Sequence, residues 1–426
     1  MEVIADLHIH SRFSMACSKD ITIKGMESAA VEKGINLLGS GDFTHPLWLK
    51  EMKAELEKVE GAGLYKVKGS NSGVSFIPSV EVSTIFQDHN KTKKVHNVIL
   101  TDDIEKAEAL NSALSKYGDL SADGRPTLMM SAAELVETVI NIDGNAFVFP
   151  AHAWTPWFGV FGSMSGFDSM REAYEDQERR IYALETGLSS DPVMNWRISA
   201  NDKYALLSNS DFHSLQKMGR EANVFELERV TYGSLIKAIK DKDAKRFIRT
   251  LEFYPEEGKY HFDGHRNCNF STDPAAENGT LCPICRKRLT IGVLHRVNDL
   301  ADRPLGYTPK NAVPYAHVVP LIEILSYVAR RGAYSLQVKA MYNALIRSLG
   351  PEFTILTKTP PESIAEIAGS ETAEAIRNVR SGRITAVAGY DGVFGRIEML
   401  ERSREKAAPK KIKQPTLSSF LNNKTV

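Results

Sequence analysis

The 426-residue chain has few cysteines, no surplus of either charge, and no uninterrupted apolar run approaching ~18 residues. Each shortage excludes something. No apolar run is long enough to span a bilayer, and no basic segment followed by an apolar stretch opens the chain, so neither a membrane span nor an export leader is expected and the cytoplasm is the expected compartment. Lys+Arg and Asp+Glu both number 53, so the overall charge balance gives no argument for nucleic acid and any such surface must be local. The four cysteines lie at 17, 268, 282 and 285, three of them in one short stretch, which in a cytosolic chain favours metal over disulfide.

What is present is ordinary in amount and uneven in placement. With 42% hydrophobic and 25% charged residues, the composition suits a globular protein, and the length implies two or three domains. Val3-Ile4-Ala5 runs into Asp6-Leu7-His8-Ile9-His10-Ser11. If this is a strand, both imidazoles point to one side, which is half of a metal site. Strand-like runs then alternate with helical stretches at 25–33, 47–59 and 132–140, which predicts an α/β arrangement with a largely parallel sheet or barrel.

The apolar runs repeatedly end in metal-ligating residue types: His8, His10, Glu81, His96, His152, Asp211 and His213. A single histidine at a strand end is more often packed or capping. Seven of the eleven histidines precede residue 214, however, and parallel α/β folds gather strand carboxyl ends on one face. The recurrence points to a metal site.

Asp6-Leu7-His8-Ile9-His10-Ser11, Gly41-Asp42, Glu81, His96, Ala151-His152 and Ser210-Asp211-Phe212-His213 resemble the successive motifs of the PHP (polymerase and histidinol phosphatase) phosphoesterases. The resemblance covers roughly residues 1–250 and implies a distorted (β/α)7 barrel. It also implies that His8, His10, Glu81 and Asp211 hold one metal, and that Glu81 bridges to a second held by His96 and His152. The implied pair is zinc or manganese, with magnesium as a further candidate, and Asp211 and Glu81 are its catalytic centre. Where the family writes Thr-Asp-His, this chain has Gly41-Asp42-Phe43, with His45 two residues on. A binuclear site is therefore expected, with Asp42 and His213 among or beside its ligands.

Pro150-Ala151-His152-Ala153-Trp154-Thr155-Pro156-Trp157 and Asn209-Ser210-Asp211-Phe212-His213-Ser214 are further similar to the endonuclease Q branch, which incises DNA 5′ to deaminated bases (uracil, hypoxanthine, xanthine) and abasic sites. Two rivals remain: a small-molecule phosphatase on the same scaffold, and a non-catalytic DNA-binding adaptor. Inspection of one altered base is usually achieved by extruding it into a pocket. The candidates for that contact are Phe43, Trp48, Trp154, Trp157, Phe158, Glu185 and Asp191, with Glu185 also placed to orient a ligand histidine.

Beyond residue 253, His265-Arg266-Asn267-Cys268 and Cys282-Pro283-Ile284-Cys285 have the paired spacing of a structural zinc ribbon. His261 competes with His265 for the fourth position. Arg266, Arg286, Lys287, Arg288, Arg296 and Arg303 decorate this stretch and make it a candidate phosphate-backbone surface. Helical periodicity follows at 318–330, 336–349, 361–368 and 371–381. The expected domains are 1–252 (catalytic), 253–310 (zinc-binding), 311–400 (mainly helical) and 401–426, a flexible tail. In that tail, Gln414, Leu417, Phe420 and Leu421 resemble the peptide that docks on sliding clamps of the PCNA or bacterial beta type. The expected partners are damaged DNA and that clamp, with the protein itself a monomer.

Overall fold

The computed structural model describes residues 1–276 and 279–400. Its largest sheet grows from the strand Glu2–Asp6, which pairs in parallel with Leu37–Gly39 and antiparallel with Ala222–Glu226. The sheet continues on one side through Ser75–Ile77, Leu64–Val67 and Leu56–Val59, and on the other through Phe247–Glu252 and Tyr315–His317, giving eight strands. A second sheet holds Thr127–Leu128, Ser79–Asp88, Lys91–Leu100 and Phe147–Pro150. Ala183–Glu185 and Ala205–Leu207 form a separate parallel pair.

The molecule is thus mixed α/β, but hydrogen bonds do not close the strands into the expected barrel, and the sheets are not largely parallel. The turns explain why. His89 and Asn90 both have positive φ (45° and 62°), the backbone of a two-residue type I′ turn, so Ser79–Asp88 and Lys91–Leu100 form an antiparallel hairpin. A parallel pairing needs a crossover of a dozen or more residues, and two leave no room for one. The helix expected over 47–59 likewise stops at Glu55, because Leu56–Val59 pairs with Leu64–Val67 across a glycine-containing turn.

Helices occupy Leu321–Ala329, Leu336–Leu349, Pro361–Ala368 and Ser370–Arg380, close to the expected ranges. Their inward residues, among them Leu321, Ile324, Val338, Leu345, Ile364 and Ile376, form a core of their own. The chain does not divide at residue 311, however. Tyr315–His317 completes the large sheet, and Val318 belongs to the core beneath it. The stretch expected to bind zinc is also held to the rest of the fold: Arg303 makes a two-pronged bond to Asp202 (2.8 and 2.6 Å), and Arg296 donates to the carbonyls of Phe161 and Phe167. Those two arginines are spent as anchors, while Arg286, Lys287 and Arg288 remain exposed. No helix among the described residues is long and apolar enough to cross a membrane. Gln414, Leu417, Phe420 and Leu421 lie outside the described residues.

One buried ion pair fastens the helical layer to the first helix, Ile23–Lys33. Lys33 Nζ donates to Glu352 at 2.7 Å, and Glu352 also accepts from the Leu321 amide (2.9 Å) and the Tyr342 hydroxyl (2.8 Å). Both charged residues are almost fully buried. Glu352→Ala leaves Lys33 buried without its counter-charge and is expected to cost about 3–5 kcal/mol, read as a lower urea midpoint of unfolding; an unchanged midpoint would show that the pair contributes nothing.

Candidate active site

Asp6 ends the first strand as a buried carboxylate that accepts from the amides of Ser210 (3.0 Å) and Gly219 (3.3 Å), so it ties the 209–211 loop to the 8–10 segment. Burial, opposed by those hydrogen bonds, pushes Asp6 up to about 7. The Asp211 amide bonds the His8 carbonyl (3.0 Å), and Ile9 bridges to Phe212. Residues 8–10 and 211–213 therefore run side by side although two hundred positions separate them. Asp211 and His152 hold positive φ (45° and 30°), strained backbone of the kind that persists where surrounding contacts enforce it.

Glu81 lies between two groups of donors. In the hairpin register it faces Val98, which puts His96 diagonally adjacent on the same face. Its Oε2 is 3.1 Å from His10 Nε2 and 3.4 Å from His8 Nε2, and Asp211 Oδ1 lies 3.0 Å from His10 Nε2. Its Oε1 is 2.6 Å from His96 Nδ1 and 2.9 Å from His152 Nε2. Each oxygen thus belongs to a separate donor set, His8–His10–Glu81–Asp211 and Glu81–His96–His152.

These sets fit divalent cations. Among the described residues, His8 Nε2, His10 Nε2 and Asp211 Oδ1 are buried without a hydrogen-bond partner, which is costly for polar atoms unless something else satisfies them. Separations near 3–3.4 Å match donors sharing one ion at about 2.0–2.2 Å. The other ring nitrogens are occupied in the sense that frees these. His8 Nδ1 donates to Glu185 (2.9 Å), His10 Nδ1 to Asp42 (3.2 Å) and His152 Nδ1 to Thr155 Oγ1 (2.9 Å).

The local charge is short of cations. Burial opposes protonation of His8, but the carboxylates of Glu185 and Glu81 outweigh it and hold His8 well above its usual range. Burial likewise opposes ionisation of Glu81, yet His96, Arg125 and His8 hold it well below. His96 is pushed down by burial to about 4, which keeps its imidazole neutral and able to donate a lone pair. Beside the clusters lies a cavity of about 410 Å³, lined by His152, Glu185, Asn209, Asp211 and His213 and also by Lys217, Arg220, Lys259, Tyr260 and Phe394.

Comparison with known proteins assigns this arrangement to a family. The family model of the MJ0043 C-terminal domain matches residues 320–383, the helical layer. The uncharacterized protein YqxK of Bacillus subtilis is 27% identical over 414 residues, spanning 93% of this chain and 99% of its own. The uncharacterized protein MJ0043 of Methanocaldococcus jannaschii is 29% identical over 255 residues, 58% of this chain and 31% of its own. The crystal structure of the lesion-specific endonuclease PfuEndoQ from Pyrococcus furiosus superposes with a TM-score of 0.83 at 32% identity, covering 96% of this chain and 98% of that one. The chain belongs to the endonuclease Q family. A structure of endonuclease Q in complex with a 27-mer duplex substrate, with an abasic lesion at its active site, matches with the same score and identity over 96% of this chain and 100% of that one.

Within this endonuclease Q fold, two residues named as ligands sit beside the donor sets. Asp42 is fully buried and accepts from the Ser11 amide (2.7 Å) and hydroxyl (2.6 Å) and from Ser14 (2.9 Å), so its oxygens are spent on orienting His10 and its loop. His213 packs its ring against His10 (4.9 Å between centroids), with Nδ1 on the Asp211 carbonyl (3.0 Å). His45 stacks on Phe13, away from both sets.

The aromatic candidates need correction. Phe43, Trp48 and Trp154 are wholly buried, Trp48 bonding the Gly41 carbonyl and Trp154 the Asn195 side chain, so none presents a face to a substrate. Phe158 is spent against His96 (4.3 Å between centroids). Trp157 stays part-exposed, edge-on to Tyr260 at 5.9 Å. Glu185 is buried and lines the cavity while holding His8 and the His152 amide (2.7 Å). Asp191 instead caps the short helix Pro192–Asn195, accepting from the Met194 amide.

Two residues escaped sequence reasoning. Arg125 Nη1 lies 3.2 Å from Glu81 Oε2, and Asn209 Nδ2 donates to Glu185 (2.8 Å). Asn209 directly precedes the Ser210-Asp211-Phe212-His213 motif. Arg125 comes from a loop without periodicity, and nothing in its surroundings marked it.

Further along the chain, His265, Cys268, Cys282 and Cys285 converge as one four-donor group, with His265 Nδ1 3.4 Å from Cys285 Sγ, and His261 is not part of it. Although burial opposes it, the amides of Cys285 and Ile284 and the ring of His265 draw the Cys282 thiol down to about 6, toward the thiolate that binds metal. Gly187 shows how tightly the active-site loops pack: its φ is +67°, and a Cβ there would lie 2.6 Å from that of His152.

Glu185→Gln keeps the size of the side chain that orients His8 but weakens its acceptor. Divalent-cation affinity is expected to fall about 10–100-fold in a chelator-competition titration; wild-type affinity would remove Glu185 from the site's supporting groups.

Proposed function

We propose that the protein is a DNA repair endonuclease that hydrolyses the phosphodiester 5′ to deaminated bases (uracil, hypoxanthine, xanthine) or abasic sites. The observation that carries this is the split of Glu81, one carboxylate oxygen in each donor set, at the edge of a cation-lined cavity. The endonuclease Q relatives, one of them bound to an abasic duplex, support the substrate class.

In this reading His8, His10, Glu81 and Asp211 would hold one divalent cation, and Glu81, His96 and His152 a second, with zinc, manganese or magnesium as candidates. Bound there, two such ions supply an activated water and charge compensation at the attacking and leaving oxygens of an in-line displacement. The chain's own residues do the rest. Glu185, Asp42 and Thr155 fix the tautomers of His8, His10 and His152 so that bare nitrogens face inward. Arg125 offsets part of the Glu81 charge. Trp157 and Tyr260 form an aromatic edge suited to the extruded nucleotide. The His265–Cys268–Cys282–Cys285 group would hold a structural zinc, and the Gln414-Leu417-Phe420-Leu421 peptide would tether the enzyme to a sliding clamp.

Asp211→Asn is the decisive variant, because asparagine tolerates the left-handed backbone found there while losing the anionic donor. Labelled duplexes carrying uracil, hypoxanthine, an abasic site or no lesion are expected to be bound but uncut by it. The wild type should nick only the lesion duplexes, 5′ to the lesion, lose activity on chelation and regain it with one of the three metals. Cleavage retained by Asp211→Asn, or wild-type hydrolysis of p-nitrophenyl phosphate alone, would sink this reading.

A further inference from the structure

The carboxy-terminal hairpin, Thr385–Val387 with Arg396–Glu398, carries a glycine-rich loop that reaches the catalytic cavity. The loop is sewn to residues 256–266. The amides of Gly389 and Gly395 bond the carbonyls of Glu256 (2.7 Å) and Glu257 (3.0 Å), and the Phe262 amide bonds the Gly389 carbonyl (2.9 Å). At its tip Asp391 and Gly392 take positive φ (43° and 85°), a two-residue turn whose carboxylate accepts from the Arg266 amide (2.7 Å) and Thr290 hydroxyl (2.6 Å). Contact is so close that a Cβ on Gly395 would lie 2.0 Å from the Glu256 carbonyl oxygen. A loop held this way delivers Phe394, between the tip and Gly395, to a defined place.

That side chain is 48% exposed, an unusual state for phenylalanine in a tightly bonded loop. It lines the same cavity as His152, Asp211 and His213. Lys259 Nζ lies 4.7 Å from its ring centroid and Lys217 Nζ 5.6 Å. Among the described residues neither lysine lies within ion-pair distance of a carboxylate, although the charge of Glu323 acts on Lys217 from further off, and Arg220 beside them donates to the carbonyls of Ser210 and Asp211. An aromatic face holds an ammonium group without cancelling its charge, whereas a carboxylate would neutralise it. The cavity mouth therefore keeps two cations, neither in a close ion pair among the described residues, on a fixed post beside the Asp211 end of the donor sets.

We infer that Lys217, Lys259 and Phe394 form a clamp for a backbone phosphate of the DNA strand next to the cleaved bond, so that the carboxy-terminal hairpin completes the catalytic mouth. The inference rests on the DNA-cleaving reading of the site, and binding separates the two. Binding of the full chain to an abasic duplex, measured between 50 and ~200 mM salt, should show the log Kd slope falling by about one for each of Lys217→Gln and Lys259→Gln. The double variant should bind roughly tenfold or more weakly at the lower salt, and Lys217→Arg with Lys259→Arg should restore both slope and affinity. Phe394→Ala, which removes the post, should weaken binding, and Phe394→Tyr should recover it. Zinc content and melting temperature are measured alongside to confirm folding. An unchanged salt slope in the folded double lysine variant overturns the clamp. A wild type that binds with the lysine-dependent slope but never nicks lesion DNA keeps the clamp and overturns the nuclease.

Discussion

A single carboxylate sets the geometry of this molecule's chemistry. Glu81 serves two donor sets at once, which ties the position of every other site residue to it. His96 reaches it through the register of one hairpin, and His8, His10 and Asp211 through the side-by-side run of the first and last motif segments. His152 reaches it through a strained turn held by Glu185. Loss of any of these placements moves one oxygen out of its set, and a shared carboxylate cannot adjust to one set without leaving the other. The buried supports, Asp6, Asp42, Glu185 and Asn209, make sense as the cost of that constraint, since each spends its hydrogen bonds on holding a loop or ring in place.

Much of the site was legible because its signal is local. His8 and His10 stand two apart, Asp211 and His213 likewise, and the cysteine pair declares its knuckle by spacing alone. What the linear order hid was partnership across sheets. Glu81 does not end its strand. It is the third residue of a ten-residue one, brought to His96 by a hairpin turn whose effect on topology outweighed the helix–strand alternation that suggested a barrel. The aromatic residues near the motifs misled for a physical reason. Rings beside a polar site are needed beneath it to exclude water, and Phe43, Trp48 and Trp154 do that, whereas the exposed ring in the cavity, Phe394, comes from the far end of the fold.

Charge shows the same division between structural and available. Of six basic residues in the 266–303 stretch, Arg296 and Arg303 are spent holding it to the rest of the fold, and Arg286, Lys287 and Arg288 stay exposed beside the cysteine pair. A count of cations along the chain cannot separate these uses, because an anchor and a phosphate contact have the same composition. Only the partner at the end of the guanidinium tells them apart.

The strand Tyr315–His317 covers the outer edge of Phe247–Glu252. A ribosome must therefore produce the whole His265–Cys285 donor segment before the large sheet can be finished, and until then the sheet presents an unpaired row of amides and carbonyls open to any neighbouring chain. Truncation after the last metal-site motif would make that transient edge permanent, so the natural unit of folding here is longer than the natural unit of chemistry.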